Sequence, residues 1–426
     1  MKLRGLILEE FQLHREFFCY FDQVQQKYEL LREVKYEGYK ITNAIKIHGY
    51  KSRYNLYFYW GQFQSKGFLG LFDLRFNKSI SKYLNQISLK PDKVRQVYGY
   101  NRTKLFEDSQ TRLTFSERRK TAFFGLHGEN KRLCQVIKAV GEGVGVRGIS
   151  RIWGLDKNTV ISYLERSAIQ CQRVSDYFLR DLHVEECQVD EMWSFVKKKE
   201  KNLDDFERCL RELGDVWIYI AFDARSKLIV EYQMGKRTFS QARLLLHNFK
   251  QRTDSHIPFF TSDDLKYYRD ALLIVYGRRV RNRAGEEVLK PPADLKYGIV
   301  KKKRRKGRVI SIEVKVVFGK EEEIYQFLEE SPVSNQINVS FVERNNLSLR
   351  HYNKRLSRRT MAFSKKLENH WYQFEIERAL YHFVKPHRGL KMLKPNGKYS
   401  FVTPMMAVGK TDHIWTIEEL LSFNPA

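Results

Sequence analysis

Three carboxylate positions, far apart along the chain, are where residue type and surroundings suggest chemistry. Asp190 lies in "ECQVDEMWSFV", an alternating apolar run that reads as a β-strand, with Glu191 beside it. Asp263 and Asp264 end "PFFTSDD", a second apolar strand. Glu343 lies in "NVSFVERNNLSLRHYNKRL", whose apolar spacing is helical. An ionised carboxylate beside a core is costly unless it is paired or holds a metal. Acids gathered from separate elements suit hard divalent cations, which take carboxylate oxygens and leave positions for water and phosphate. Three such acids can hold two ions about 3.5–4 Å apart, an arrangement suited to in-line phosphoryl displacement. Each acid also has a purely structural reading. An arginine could pair with Asp190, one aspartate of the 263–264 pair could cap the next helix, and Ser340 with Glu343 fits the S-x-x-E capping box.

The rest of the chain must position these acids. Its 426 residues are enough for roughly two to four domains. Hydrophobic residues make up 42% and charged residues 30%, the balance of a globular protein with real cores rather than a disordered one. Lys and Arg number 77 against 50 Asp and Glu, a net charge of +27. Such an excess points to a polyanionic partner, of which nucleic acid is the usual one. The five cysteines are scattered, with no C-x-x-C pair, so neither a zinc knuckle nor a disulfide framework is expected. The opening "MKLRGLILEEFQLHREF" lacks the apolar run of a secretory leader, and no stretch approaches the ~20 apolar residues of a bilayer span. A cytoplasmic, nucleoid-associated protein is expected, with no membrane partner.

Two segments read as helix-turn-helix units. In the first, "YKITNAIKIHGYKSRYNLYFYWGQFQSKG", a turn at Gly49 separates two short helices, and Lys51, Arg53 and Asn55 fall near the start of the second. In the second, "VGVRGISRIWGLDKNTVISYLERS", the turn is at Gly154. Asp156 or Asn158 caps the following helix there, and Lys157 and Asn158 face outward. The "NRTKLFEDSQTRLTFSERRK" between them reads as a polar connector with some helix. From Glu186 the period changes to strands, with "DVWIYIAF" and "SKLIVEYQMG" joined by a hairpin. The block "KKKRRK", which includes Lys301, Arg304 and Arg305, reads as a basic loop or hairpin tip aimed at phosphates. The alternating "RVISIEVKVVFG" after it reads as a strand.

The segments "VDEMWSFV", "TSDDLKYY" and "SFVERNNLSLRHYNKRLSRRTMAFSK" resemble the three acidic motifs of DDE transposases of the insertion-sequence-one type. The closing "YHFVKPHRGL" and "TPMMAVGKTDHIWTIEELLSF" are similar to that family's tail, so the resemblance covers about residues 186–423. It implies an α/β RNase H-like catalytic domain, a mixed five-stranded sheet with helices, preceded here by all-α helix-turn-helix DNA-binding modules. In such a domain the first acid lies on the first strand, the second just after the fourth, and the third on a later helix. Position by position, Asp190, Asp263 and Glu343 match the three catalytic, metal-binding acids. Asp264 stands where the family often has glycine. The cysteine zinc motif that some members carry is absent. Glu191 is expected to turn away into a structural salt bridge, and Arg344, Asn345 and Arg350 to orient Glu343 or touch phosphate. His387 reads as structural or as a DNA contact.

The expected organisation is a helix-turn-helix module over 1–90, a connector with a second one over 91–180, a catalytic domain over 181–390 and a tail over 391–426. The expected activity is transposition. The protein would bind its element's terminal repeats, cleave with two Mg²⁺ or Mn²⁺ ions and join the 3′-hydroxyl ends to target DNA. It would act as a homodimer or higher oligomer on double-stranded DNA. Two rivals stand beside this reading: a metal-dependent nuclease that does not join, and a DNA-binding regulator without catalysis.

Overall fold

The computed structural model of the chain describes residues 23–35, 38, 40–47, 53–66, 93–99, 101–107, 114–209, 212–281, 285–305, 308–393 and 397–424. They fall into two compact units, Met1–Glu117 with Asp204–Arg211, and Arg118–Leu203 with Glu212–Ala426.

In the first unit, helices α1 (Gln23–Lys35), α2 (Ile41–Ile47) and α3 (Arg53–Lys66) enclose a small core of Tyr28, Leu30, Leu31, Ala44, Ile45 and Leu56. The two helices expected around "HGYKS" are therefore α2 and α3. The turn itself, with Gly49 and Lys51, lies outside the described residues. This unit is not all-α. Strands β1 (Lys93–Tyr98), β2 (Thr103–Glu107) and β3 (Thr114–Ser116) form an antiparallel sheet, where the sequence reading had only a connector. A bulge between Val94 and Gln96 explains the miss. The extra residue breaks the two-residue period by which a strand is recognised, and Val94 and Val97 are both exposed, so no buried face marks the pattern.

The second unit begins with helices α4 (Asn130–Gly141), α5 (Val146–Trp153) and α6 (Lys157–Phe178). Gly154 ends α5 with φ of 64°, a left-handed geometry that suits glycine. The Asp156 carboxylate accepts from the Asn158 backbone N–H at 2.8 Å and caps α6, leaving Lys157 and Asn158 exposed at its start.

A mixed sheet follows, built from β4 (Glu186–Val196), β5 (Gly214–Asp223), β6 (Ile229–Gly235), β7 (Phe259–Asp263), β10 (Tyr297–Arg305) and β11 (Arg308–Phe318). A separate short hairpin, β8 (Arg278–Arg281) with β9 (Glu287–Lys290), lies between β7 and β10 in the chain. The spatial order of the sheet is β11-β10-β7-β4-β5-β6. β7 is parallel to both β4 and β10, and the remaining pairs are antiparallel. The sheet has six strands and not five, because the lysine-rich block is itself strand, forming a hairpin with β11.

Alternation along the strands divides the side chains between two cores. Val189, Tyr219 and Ala221 pack on one face with α6, α7 (Phe239–Arg252) and α8 (Lys266–Tyr276). Met192, Ile218, Ile220 and Val300 pack on the other with α9 (Glu321–Glu330), α10 (Ser340–Tyr352) and Phe374 of α11 (Leu367–Ala379). The C-terminal segment adds a hairpin, β12 (His387–Leu393) with β13 (Tyr399–Val402), and helix α12 (Ile417–Ser422). Trp415, Leu420 and Leu421 from this segment complete the first core. Among the described residues no helix is long and apolar enough to cross a membrane.

Candidate metal centre

Strand β7 stops at Asp263 while both of its neighbours run on. β4 pairs with it as far as Val189 opposite Ser262 and then continues to Val196. β10 pairs as far as Val300 opposite Asp263 and continues to Arg305. The sheet therefore has a notch at the carboxyl end of a parallel strand, where α/β sheets gather ligands. Asp190 and Glu191 line it from β4, Asp263 from β7 and Lys301 and Lys302 from β10.

Asp190 and Glu191 leave β4 toward opposite faces. Asp190 meets α10, where the Asn346 side-chain N–H₂ donates to its Oδ2 at 2.7 Å. Gln188, on the same face, fixes that helix: its Oε1 accepts from the Val342 backbone N–H at 3.0 Å, and its Nε2 donates to Asn338 at 3.0 Å. Glu191 turns toward the other core, where Tyr268 Oη donates to it at 3.1 Å and the Arg237 guanidinium pairs with it. The expected salt bridge is thus present, but Glu191 has not left the site. Asp190, Glu191 and Asp263 each place a carboxylate oxygen within 4.8 Å of the others. Beyond the last residue of β7, side chains from both faces of β4 reach the same gap.

The electrostatics are those of acids held together out of water. Burial, then the charges of Glu191 and Asp263, push the Asp190 carboxyl up to about 7. Burial and then Glu191 push Asp263 up to about 6. Tyr268, fully buried, is driven well above its ordinary value by burial and then by the same acids. The donors of this group are all carboxylate oxygens, with no imidazole or thiol among them, a set that fits a hard cation and not a thiophilic one. This acid cluster can therefore hold a metal ion.

The neighbouring acids resolve differently. Asp264 pairs with Lys301 at 3.2 Å, while Asp263 faces the cluster and accepts from the Leu265 backbone N–H at 3.2 Å. Neither aspartate caps α8, whose N-cap is Leu265. The S-x-x-E capping box does not form either. The N-cap of α10 is Val339, and Ser340 Oγ donates instead to Asn338. Glu343 lies near enough to add to the rise at Asp190 but is outside the three-acid group. Both its oxygens accept from Lys302 Nζ at 2.6 Å.

The expected DNA contacts are dispersed. Lys157, Asn158, Arg304, Arg305 and Arg344 are exposed, and Lys301 is exposed although paired with Asp264. Arg350 is partly buried on α10, with Nε out of reach of any acceptor among the described residues. The backbone of α3 begins at Arg53 and carries Asn55 in its first turn, and Lys51 lies outside the described residues. His387 accepts from the Gly389 backbone N–H at 3.1 Å, and its ring packs on Tyr381. Sequence reasoning missed Arg237, Tyr268 and Asn346. Nothing local marks the first two. Asn346 was legible, since a residue three positions beyond Glu343 shares its helix face, whereas Asn345 does not.

No protein-family model and no curated protein matches the chain.

Proposed function

We propose that the chain is a divalent-cation-dependent DNA transposase of the DDE type, which cleaves phosphodiester bonds at the ends of its element and joins the 3′-hydroxyls to target DNA. The observation that carries this reading is the convergence of Asp190, Glu191 and Asp263 in the β7 notch, in a protein of net charge +27. The placement of the acids supports an RNase H-like reading of the sheet. The first acid is on the first strand of the domain, the second ends the fourth, and Glu343 lies on a later helix.

In this reading Asp190, Glu191 and Asp263 would hold Mg²⁺ or Mn²⁺, and Glu343, now paired with Lys302, would supply the further carboxylate for a second ion. Bound divalent ions polarise the phosphoryl oxygens and favour the ionised form of the attacking hydroxyl. The chain's own residues bind and orient. Arg237 and Tyr268 fix Glu191, Asn346 fixes Asp190, and the notch keeps the acids partly dry. Lys301, Arg304 and Arg305 track the DNA backbone along the hairpin. Lys157 and Asn158 at the start of α6, with Lys51, Arg53 and Asn55, recognise the element ends. Acting on two ends, the protein works as a homodimer or higher oligomer on DNA.

The test uses duplexes carrying the DNA that flanks the reading frame, assayed with Mg²⁺ for cleavage and with pre-cleaved ends for joining. Asp190→Asn and Asp263→Asn should each lower both activities at least about 100-fold, and Asp264→Asn should stay within a few-fold of wild type. Retained activity in the first two variants contradicts the reading. A nuclease that does not join is the second reading, since the same acids would serve hydrolysis without transfer. Cleavage without joining would establish it.

A further inference from the structure

Asn346 carries two observations that its place in a helix does not explain. It is 3% exposed, and its Nδ2 donates to Asp190 Oδ2 at 2.7 Å. Its Oδ1 is buried and accepts no hydrogen bond among the described residues. This amide orientation is the one that suits the ionised carboxylate a cation would bind, since turning it over would set its oxygen against a carboxylate oxygen at the same distance. Covalent geometry then keeps the unpartnered Oδ1 within about 5 Å of Asp190 Oδ2. A buried acceptor with no donor is unfavourable, and natural proteins keep few of them. Here one sits beside Asp190, a member of the three-acid cluster.

We propose that Asn346 is a positioning residue for the cation site: its N–H holds Asp190 in the orientation that binds the ion, and its buried carbonyl oxygen accepts a hydrogen bond from the ion's hydration shell. This inference rests on the proposal that the acid cluster binds a divalent cation, and it adds a role no acid can supply. Carboxylates offer only acceptors, so aiming one of them requires a donor. Gln188 locks the first turn of α10 to β4, and Asn346 lies on the next turn, so strand and helix hold the amide against the acid. Outer-shell hydrogen bonds of this kind change metal affinity by about 10–100-fold when removed.

Mn²⁺ alone, titrated into the full chain without DNA and followed by the electron paramagnetic resonance of the free ion, isolates this role from catalysis. Asn346→Ala should weaken Mn²⁺ binding about 10–100-fold, while Leu347→Ala, at an exposed neighbouring position, should leave it unchanged. Asn346→Ser, small and polar enough to be hydrated in place, repeats the test if the alanine variant does not fold, and should show the same loss. Circular dichroism and a melting curve establish that each variant is folded. Wild-type binding with folded Asn346 variants within threefold of it overturns the role of Asn346 and leaves the metal centre standing. Wild-type protein that binds no Mn²⁺ overturns both.

Discussion

Asp190 joins sequence to chemistry most closely. The strand pattern alone places it on a sheet face, but its proton affinity depends on Glu191 and Asp263, which only the fold brings near. Its carboxyl is raised to about 7 from an ordinary 3.8, so the folded protein holds a proton there that the unfolded chain releases. The resulting stability is fully present below about pH 4 and is lost as pH rises through 7. Comparison with Asp190→Asn cancels the contributions of carboxylates distant from the cluster. Without metal the variant should melt at the wild-type temperature near pH 4 and roughly 2–5 °C higher near pH 8. Adding Mg²⁺ at pH 8 should raise the wild-type melting temperature and leave that of the variant unchanged. Thermal melts across this range check the sign, and an unchanged difference between the two proteins would mean that Asp190 is not held among acids. Asp263 was as legible as Asp190 because it ends a recognisable strand, whereas for Glu343 only the helix was legible and not its pairing with Lys302 outside the three-acid group. The share of Glu191 in the cluster was not legible, since alternation argues that neighbours on a strand diverge and does not reveal that β7 stops beside them.

Among the elements, the β10–β11 hairpin carries strand pairing farther into the basic block than the sequence indicates. A run of lysines and arginines reads as loop because strands are recognised by apolar alternation, and β10 loses that pattern where it leaves the core. Val300 is buried, whereas Lys301 and the residues from Lys303 to Arg305 are exposed. Pairing with β11 continues along this segment, with Lys301 opposite Glu313 and Arg305 opposite Arg308. Three of the lysines are engaged by acids, Lys303 by Glu313 within the hairpin, Lys301 by Asp264 and Lys302 by Glu343, and the last two pairs tie the hairpin to the notch it borders. Arg304 and Arg305 extend beyond those pairs. If they track phosphates, Arg304→Ala and Arg305→Ala should each weaken DNA binding on any sequence and reduce the slope of log affinity against log salt by about 1. Mn²⁺ affinity without DNA should be unchanged. Binding isotherms at a series of salt concentrations measure this, and an unaltered slope would remove the hairpin from the DNA path. Helix α10 was legible as a helix but not in its capping. Asn338, and not Ser340, takes up the hydrogen bonds at its start, which leaves Glu343 available to Lys302.

At the scale of the whole molecule, a strongly basic chain collects three acids at one break in its sheet. Positive surface favours a polyanion, and the acids would repel that polyanion unless cations stood between them. The α/β class and the strands that carry the acids followed from periodicity. The sheet in the first unit did not, because a bulge and exposure on both sides of β1 erase the pattern that marks a strand there. The three clustered carboxylates would form a binding site for a divalent cation. Crystals of the protein soaked in Mn²⁺ and measured for anomalous scattering test it directly. An anomalous peak is expected within coordination distance of Asp190, Glu191 and Asp263, lost in Asp190→Asn crystals. Ordered carboxylates with no peak between them, or a peak that survives the substitution, would contradict it.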